Sequence, residues 1–166
     1  MPVNPNLARW VFASIMKHLE AVATAAGHPF IKEGVDVRTD AIMKSKLWAE
    51  GRVTGPYTRD LQGGEYEVNV DANVLLSTNQ PGYDIVRVAG LYQEALSTPI
   101  PVWNYGALTG DYVHSDSSTK VLLGCLTNSP GRKEMVAVFH FGQVNKTDPI
   151  RQSVIDTSLQ MIFPSA

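Results

Sequence analysis

Residues 64–78 read GEYEVNVDANVLLST, and apolar and polar side chains alternate along most of this stretch. Successive side chains of an extended strand point to opposite sides, so a period of two predicts a strand with one buried and one solvated face. The predicted buried face consists of Tyr66, Val68, Val70, Ala72, Val74 and Leu76. The predicted solvated face consists of Glu65, Glu67, Asn69, Asp71 and Asn73.

A second alternating run, residues 41–53, precedes this strand in the sequence. One of its faces carries Met43, Leu47, Ala49 and Val53, and the other carries Ile42, Lys44, Lys46, Trp48, Glu50 and Arg52. The two runs predict one long antiparallel hairpin over residues 40–78, with Lys44 and Lys46 opposite Glu65 and Glu67. Favourable cross-strand pairs of this kind contribute roughly 0.2–1 kcal/mol each.

The connection between the two runs is the segment 54–63, which contains Gly55-Pro56 and Arg59-Asp60. A connection of this length is long for a hairpin turn. Two interpretations stay open at this point: a loose surface loop, or a projecting arm that reaches a partner.

Two amphipathic helices are predicted on either side of the hairpin. The first covers residues 5–26, because Asn4 can cap a helix that has Pro5 at its first position, and Gly27 can end it. The second covers residues 83–97 and stops before Pro99. Between the first helix and the hairpin, residues 29–32 are expected to be a connector, and residues 35–38 a short strand or the lead-in to the hairpin.

The C-terminal third, residues 120–163, is predicted to be a β-meander. Its second strand, residues 133–144, is apolar on both faces, which is typical of the middle of a sheet or of a surface under a partner. Alternation over residues 155–163 favours a final strand, with a helix beginning at Asp148-Pro149 as the alternative. Residues 106–119 are polar and are expected to form a loop.

These elements predict an α+β fold, with a mainly antiparallel sheet and a long β-hairpin flanked by two amphipathic helices. The length of 166 residues and the apolar content of 44% fit a single domain with a sizeable core. The net charge of −2 and the scattered Lys and Arg residues do not form a nucleic-acid footprint. The sequence contains neither a recognisable signal peptide nor an apolar run of membrane-spanning length, so we expect an intracellular protein that avoids the membrane.

Few residues suggest chemistry, and we expect neither an enzyme nor a cofactor nor a bound metal. The single cysteine, Cys125, lies in an apolar run and is predicted to be buried and inert. His140 between two phenylalanines is expected in a core or an interface, and His18 and His28 at the surface or at helix ends. Glu65 and Glu67 share a strand face as paired catalytic acids would, but a solvated face explains them more simply.

The polar run at 111–118 is the one alternative site for a ligand. Asp111, His114 and Asp116 could together bind a divalent cation, although short runs of Asp and Ser are usually solvated loops. A small ligand-binding or metal-binding intracellular protein would place its pocket around these residues and His140. A monomeric adaptor that recruits one partner is a further alternative.

The order of elements resembles the tail terminator proteins of tailed bacteriophages and, more broadly, the neck and tail-completion proteins that share their α/β fold. Residues 66–98, from the alternating strand through LLST into the following helix, carry most of this likeness. The resemblance implies a non-enzymatic, hexameric ring that caps the tail tube protein and joins the tail to the head–tail connector. DNA would pass through the lumen, and the protein would be made in the host cytoplasm and reside in the virion.

Under this hypothesis the hairpin borders the lumen or a neighbouring subunit. Acidic residues outnumber basic ones on the hairpin, which suits a lumen through which DNA slides, because Lys and Arg contacts would retain phosphates. The predicted interface or lumen residues are Lys44, Lys46, Trp48, Arg52, Tyr57, Arg59, Asp60, Glu65 and Glu67.

Overall fold

The computed structural model describes residues 4–32, 45–61, 63–79, 84–104, 121–128, 136–143 and 149–164. In this part of the chain there are two helices, α1 (Leu7–Ala26) and α2 (Asp84–Ser97). The strands are β1 (Phe30–Lys32), β2 (Leu47–Leu61), β3 (Glu65–Thr78), β4 (Ile100–Asn104), β5 (Val121–Asn128), β6 (Val136–Gln143) and β7 (Pro149–Pro164).

The strands form one sheet in the order β1-β2-β3-β7-β5-β4, and β6 also pairs with β7. The β1–β2 pair is parallel, and the other described pairs are antiparallel. The long strands β3 and β7 lie at the centre and pair along their full length, from Glu65 with Pro164 to Thr78 with Arg151. The predicted α+β class with a mainly antiparallel sheet is therefore confirmed.

Both helices pack on the same face of this sheet, where they form the core. The alternation of β3 is confirmed, since every second side chain from Tyr66 to Leu76 is at most 1% exposed. Helix α1 contributes Leu7, Trp10, Val11, Ile15 and Leu19 to this core, and α2 contributes Ile85, Val88, Ala89, Tyr92 and Leu96. Full burial of a Leu, Ile or Val side chain contributes about 1.5–3 kcal/mol, so this layer provides most of the stabilisation that joins helices and sheet.

The first helix begins later than predicted, at Leu7 instead of at residue 5. Asn4 caps the turn that precedes the helix, because its Oδ1 accepts the Asn6 N–H at 2.9 Å. Its backbone carbonyl also accepts the Leu7 N–H at 3.0 Å. The predicted end is confirmed: Gly27 has a φ of 80°, and its N–H donates to the Ala23 carbonyl at 2.8 Å.

The predicted ten-residue connection at 54–63 is wrong, because β2 continues to Leu61 and pairs there with Glu65. The Gly-Pro pair that suggested a turn instead forms a bulge, where the register shifts between Thr54 and Tyr57. Gly55 has a φ of 106°, which suits glycine, and proline has no N–H to contribute to the ladder. The pairing of the two strands therefore extends further than predicted, up to Leu61 with Glu65.

This longer pairing also changes the charge pairs. Arg59 lies opposite Glu67, and Leu61 lies opposite Glu65, so the prediction that Lys46 faces these glutamates is wrong. Lys46 lies at the other end of the hairpin, where its carbonyl accepts the Thr78 hydroxyl at 2.6 Å. Lys44 lies outside the described residues, as do the predicted strand at 35–38 and the loop at 106–119.

The predicted connector contains a strand instead, since β1 pairs in parallel with Ala49–Gly51. The strand forms because Ile31 reaches the core, where it is 2% exposed.

The C-terminal strands are confirmed, but the predicted meander is wrong. Strand β5 pairs with β4 and with the C-terminal part of β7, and β6 pairs with the N-terminal part of β7. Strand β7 is therefore the common partner of β5 and β6. Within the described ranges β7 is the only strand beside β6, which places β6 at an edge and not in the middle of the sheet. The final segment is a strand as favoured, and the helical alternative beginning at Asp148-Pro149 is wrong.

Cys125 is exposed, so its predicted burial is wrong. Apolar sequence in β5 does not mean a buried strand here, because Val121 and Leu122 are also more than half exposed. Only Leu126 of this strand is buried, on the face directed toward the helices.

The strand β2 passes close beneath α1 at Gly51, and this gives a stability prediction. A Cβ at Gly51 would lie 2.5 Å from the ring of Phe30 and 3.0 Å from Met16 Sδ. We expect Gly51→Ala to lower the free energy of unfolding by about 1 kcal/mol, since the aromatic ring must move.

The matched control for this change is Gly90→Ala on the exposed side of α2, where an added Cβ meets nothing within 4 Å. Alanine should raise the stability there by roughly 0.5–1 kcal/mol, because glycine is a poor helix former. Urea denaturation measures the free energy of unfolding of both variants. An equal change in this free energy at the two sites would contradict the close packing at Gly51.

Candidate functional site

The sheet face opposite the helices is a polar surface, which we call the open face. It consists of outward-facing residues of β2, β3 and β7. Register places these side chains in cross-strand rows: Arg52, Asn73 and Asp156; Thr54, Asp71 and Ser158; Tyr57, Asn69 and Gln160; Arg59, Glu67 and Ile162. Its β3 side chains from Glu67 to Leu75 are half-buried between their neighbours, and Glu65 is exposed.

Hydrogen bonds fix the polar side chains of this face. Glu67 accepts from Arg59 Nη2 and from Asn69 Nδ2, each at 2.7 Å. The hydrogen bond from Asn69, followed by that from Arg59, holds the pKa of Glu67 below its usual value, so this carboxylate stays charged at neutral pH. On the next strand, Ser158 Oγ donates to Asp71 Oδ1 and joins β7 to β3.

The open face carries more negative than positive charge. Its accessible carboxylates are Glu65, Glu67, Asp71 and Asp156, and its guanidinium groups are Arg52 and Arg59, whereas Glu50 on the same face is buried. A surface with an excess of carboxylates offers phosphates little favourable charge.

The predicted interface residues separate into two groups in the structure. Trp48 is only 6% exposed, so its prediction as a contact residue is wrong: packing within the chain buries its indole. Arg52 is half-buried next to Glu50, with 3.7 Å between Nη2 and Oε1. Lys46 is exposed at the near end of the hairpin.

The remaining predicted residues lie together on the distal part of the hairpin, which we call the arm tip. It consists of Tyr57–Leu61, Glu65, Glu67 and the neighbouring Ile162. Tyr57 is 59% exposed and Ile162 is 47% exposed. Ile162 was not among the predicted residues, although the alternation of the last strand places it on the other face from Leu159 and Met161, which is the open face.

A second surface, which the sequence did not indicate, is a groove between the two helices. Its apolar part has a volume of about 570 Å³ and is lined by Ala21, Val22, Ala25, Leu91 and Ala95, with His18, Arg87 and Glu94 at its margin. An adjoining cavity of about 460 Å³ is lined by His28, Ser45, Lys46, Arg87 and Val88. The two cavities share Ala26 and Arg87, and we refer to them together as the helix groove.

His18 and His28, the two histidines of the helix groove, each form a hydrogen bond to a residue of α2. His18 Nε2 donates to the Ala95 carbonyl at 2.8 Å. His28 Nε2 lies 2.7 Å from the Tyr92 hydroxyl. Burial, and secondarily the nearby Arg87, lowers the pKa of His28 to about 4, while burial raises the pKa of Tyr92. Both groups are therefore neutral at pH 7, and the phenol, as the stronger acid, donates to the imidazole.

The predicted metal alternative lies outside this region. Asp111, His114 and Asp116 fall in 105–120, which is not among the described residues, and His140 belongs to β6, opposite Gln152. Within the described ranges, no three His, Cys, Asp or Glu side chains form a group that could hold a metal ion. Neither described helix has the length and apolar character that a bilayer crossing requires.

Comparison with known proteins adds no family to these observations. No protein-family model and no curated protein matches the sequence.

Proposed function

We propose that this chain is a structural protein of a tailed bacteriophage, which forms a hexameric ring at the end of the tail tube. In this role it would resemble a tail terminator and join the tube protein to the head–tail connector, without catalysing a reaction. Its place would be the tail or neck of the virion.

The observation that carries this proposal is the open face together with the arm tip at its distal end. Both helices lie on one side of the sheet, and the other side keeps a long surface of carboxylates, amides and hydroxyls. A ring with this face toward its axis would present DNA with a wall that is polar enough to be wetted and too acidic to hold phosphates. The arm tip then extends toward a neighbouring subunit.

Mass and shape in solution test this proposal. We expect light scattering and native mass spectrometry to give six times the chain mass of 18.1 kDa, and electron microscopy to show rings with a central hole. Added to polymerised tail tube protein, the chain should appear at the tube ends. A stable monomer at every protein concentration would contradict the ring and favour the monomeric adaptor.

A further inference from the structure

The described sheet narrows to three strands at the level of the arm tip. There the central strand is β3, with residues 57–61 of β2 on one side and residues 160–164 of β7 on the other. Because β2 and β7 are both antiparallel to β3, they run in the same direction. Each of them therefore has an outer side at this level, and the two outer sides lie at opposite edges of the sheet.

The outer side of β2 is accessible at this level. Among the described strands only β1 pairs with it, and the last of these pairs is Lys32 with Gly51. Every residue from Tyr57 to Asp60 is exposed, although the β3 residues opposite Thr58 and Asp60 are at most 1% exposed. Successive side chains point to opposite faces, so exposure of all of them is typical of an edge strand.

The outer side of β7 is accessible at the same level. The described strands β6 and β5 pair with this side, and the pair nearest the arm tip is Thr127 with Gln160. From Met161 to Pro164 no described strand pairs there, and Ile162 within this segment is 47% exposed. An edge of this kind presents backbone N–H and C=O groups to which a further strand can pair.

The two edges match in their level on the sheet. Arg59 of β2, Glu67 of β3 and Ile162 of β7 form one cross-strand row, so both edges lie at the same height. Since β3 lies between them, one chain cannot join its own two edges. A rotation about an axis along the strands, without translation, brings the β2 edge of one copy beside the β7 edge of the next. The two strands then lie parallel to each other.

We propose that the β2 edge of each copy pairs with the β7 edge of the next, so that the sheet continues around the ring at the level of the arm tip. This inference rests on the proposed ring and specifies its contact, which is heterologous. Both helices of a copy lie on one face of the sheet, so a continuous sheet places every open face on the same side, toward the axis. Three strands from each of six copies give a closed sheet of about 18 strands, and sheets of this size enclose a water-filled channel.

Disulfide trapping across the junction between copies tests this pairing. Arg59→Cys and Ile162→Cys are combined with Cys125→Ser, since the native thiol is exposed. In one chain β3 separates the two positions, so their Cα atoms lie roughly 9–10 Å apart, beyond the limit of about 7 Å for a disulfide. A bond between them must therefore join two chains. We expect oxidation to give a ladder of linked chains, up to the hexamer, on a denaturing gel without reductant.

Moving the first cysteine tests the register of the junction. A slip of one residue would exchange the two faces of the sheet, so only even slips keep the open face continuous. Tyr57→Cys and Leu61→Cys, each combined with Ile162→Cys and Cys125→Ser, cover a slip of two residues in either direction. We expect at least one of the three combinations to give the ladder. If none does while the variants keep the parent's hexameric mass, the edge pairing is wrong and the ring stands.

Arg52→Cys with Asp156→Cys, again with Cys125→Ser, is the matched control. These positions also share one row across β3, but there Val136 of β6 pairs with the outer side of β7. We expect no ladder from this variant. Linkage of the Arg59→Cys variant to itself, without a cysteine at Ile162, would mean a two-fold contact between β2 edges and overturn the proposal. A parent that stays monomeric would contradict the proposed function itself.

Discussion

Replacing Leu76 with alanine is expected to lower the free energy of unfolding by about 2–5 kcal/mol. Leu76 is fully buried on the helix-facing side of β3, and its truncation leaves a cavity that the two helices cannot fill. Urea denaturation followed by tryptophan fluorescence measures the loss, at one fixed protein concentration.

Leu75→Ala is the matched control, because it removes the same atoms one residue earlier. Leu75 is half-buried on the open face, between Glu50 and Val154. We expect a loss of about 1 kcal/mol there, since less apolar area returns to water. Equal losses at the two positions would mean that the sheet has no distinct buried face, and the open face would lose its basis.

Lowering the pH from 7 to 5 is expected to destabilise the protein by about 1–2 kcal/mol through His28, after allowance for solvent screening. The folded state holds the pKa of His28 at about 4, below its ordinary value of 6.5. At pH values between these two pKa values, His28 is protonated in the unfolded chain and neutral in the folded chain. Stability from this residue is therefore complete above pH 6.5, and it declines as the pH falls toward 4.

His28→Gln separates this contribution from all other titrations. Glutamine can still accept the Tyr92 hydroxyl hydrogen bond but has no proton to gain, so the difference in stability between parent and variant should change with pH. Urea denaturation at half-unit steps from pH 7.5 to pH 5 measures this difference. A difference that stays constant across the range would contradict a neutral, half-buried imidazole.

The regular parts of the hairpin could be predicted from the sequence, because the alternation of apolar and polar residues over β3 indicates a strand with one buried and one solvated face. The distal half of β2 could not. A Gly-Pro pair is usually a turn signal, and only pairing with Asn69 and its neighbours shows that the strand resumes at Tyr57. The same error displaced the predicted partners of Glu65 and Glu67, since register depends on where the hairpin closes.

Of the two candidate surfaces, the sequence predicted residues of the arm tip but not the helix groove. Tyr57, Arg59, Asp60 and Glu65 are polar or exposed positions of a strand, and the sequence pattern already places them outside the core. The helix groove arises from two helices that are distant in sequence, and Arg87 appears in the sequence only as one polar residue of an amphipathic helix. Trp48 was misassigned because alternation gives the phase of a side chain but not what covers it.

The central position of β7 ties completion of the sheet to the last strand of the described chain. Its partners on β3 lie far back in the sequence; Ser158, for example, is opposite Asp71. Until β7 arrives from the ribosome, the fourteen residues of β3 keep one edge of unpaired N–H and C=O groups, to which a strand from another chain can add. A nascent chain stopped before residue 149 would therefore be prone to aggregate through this edge.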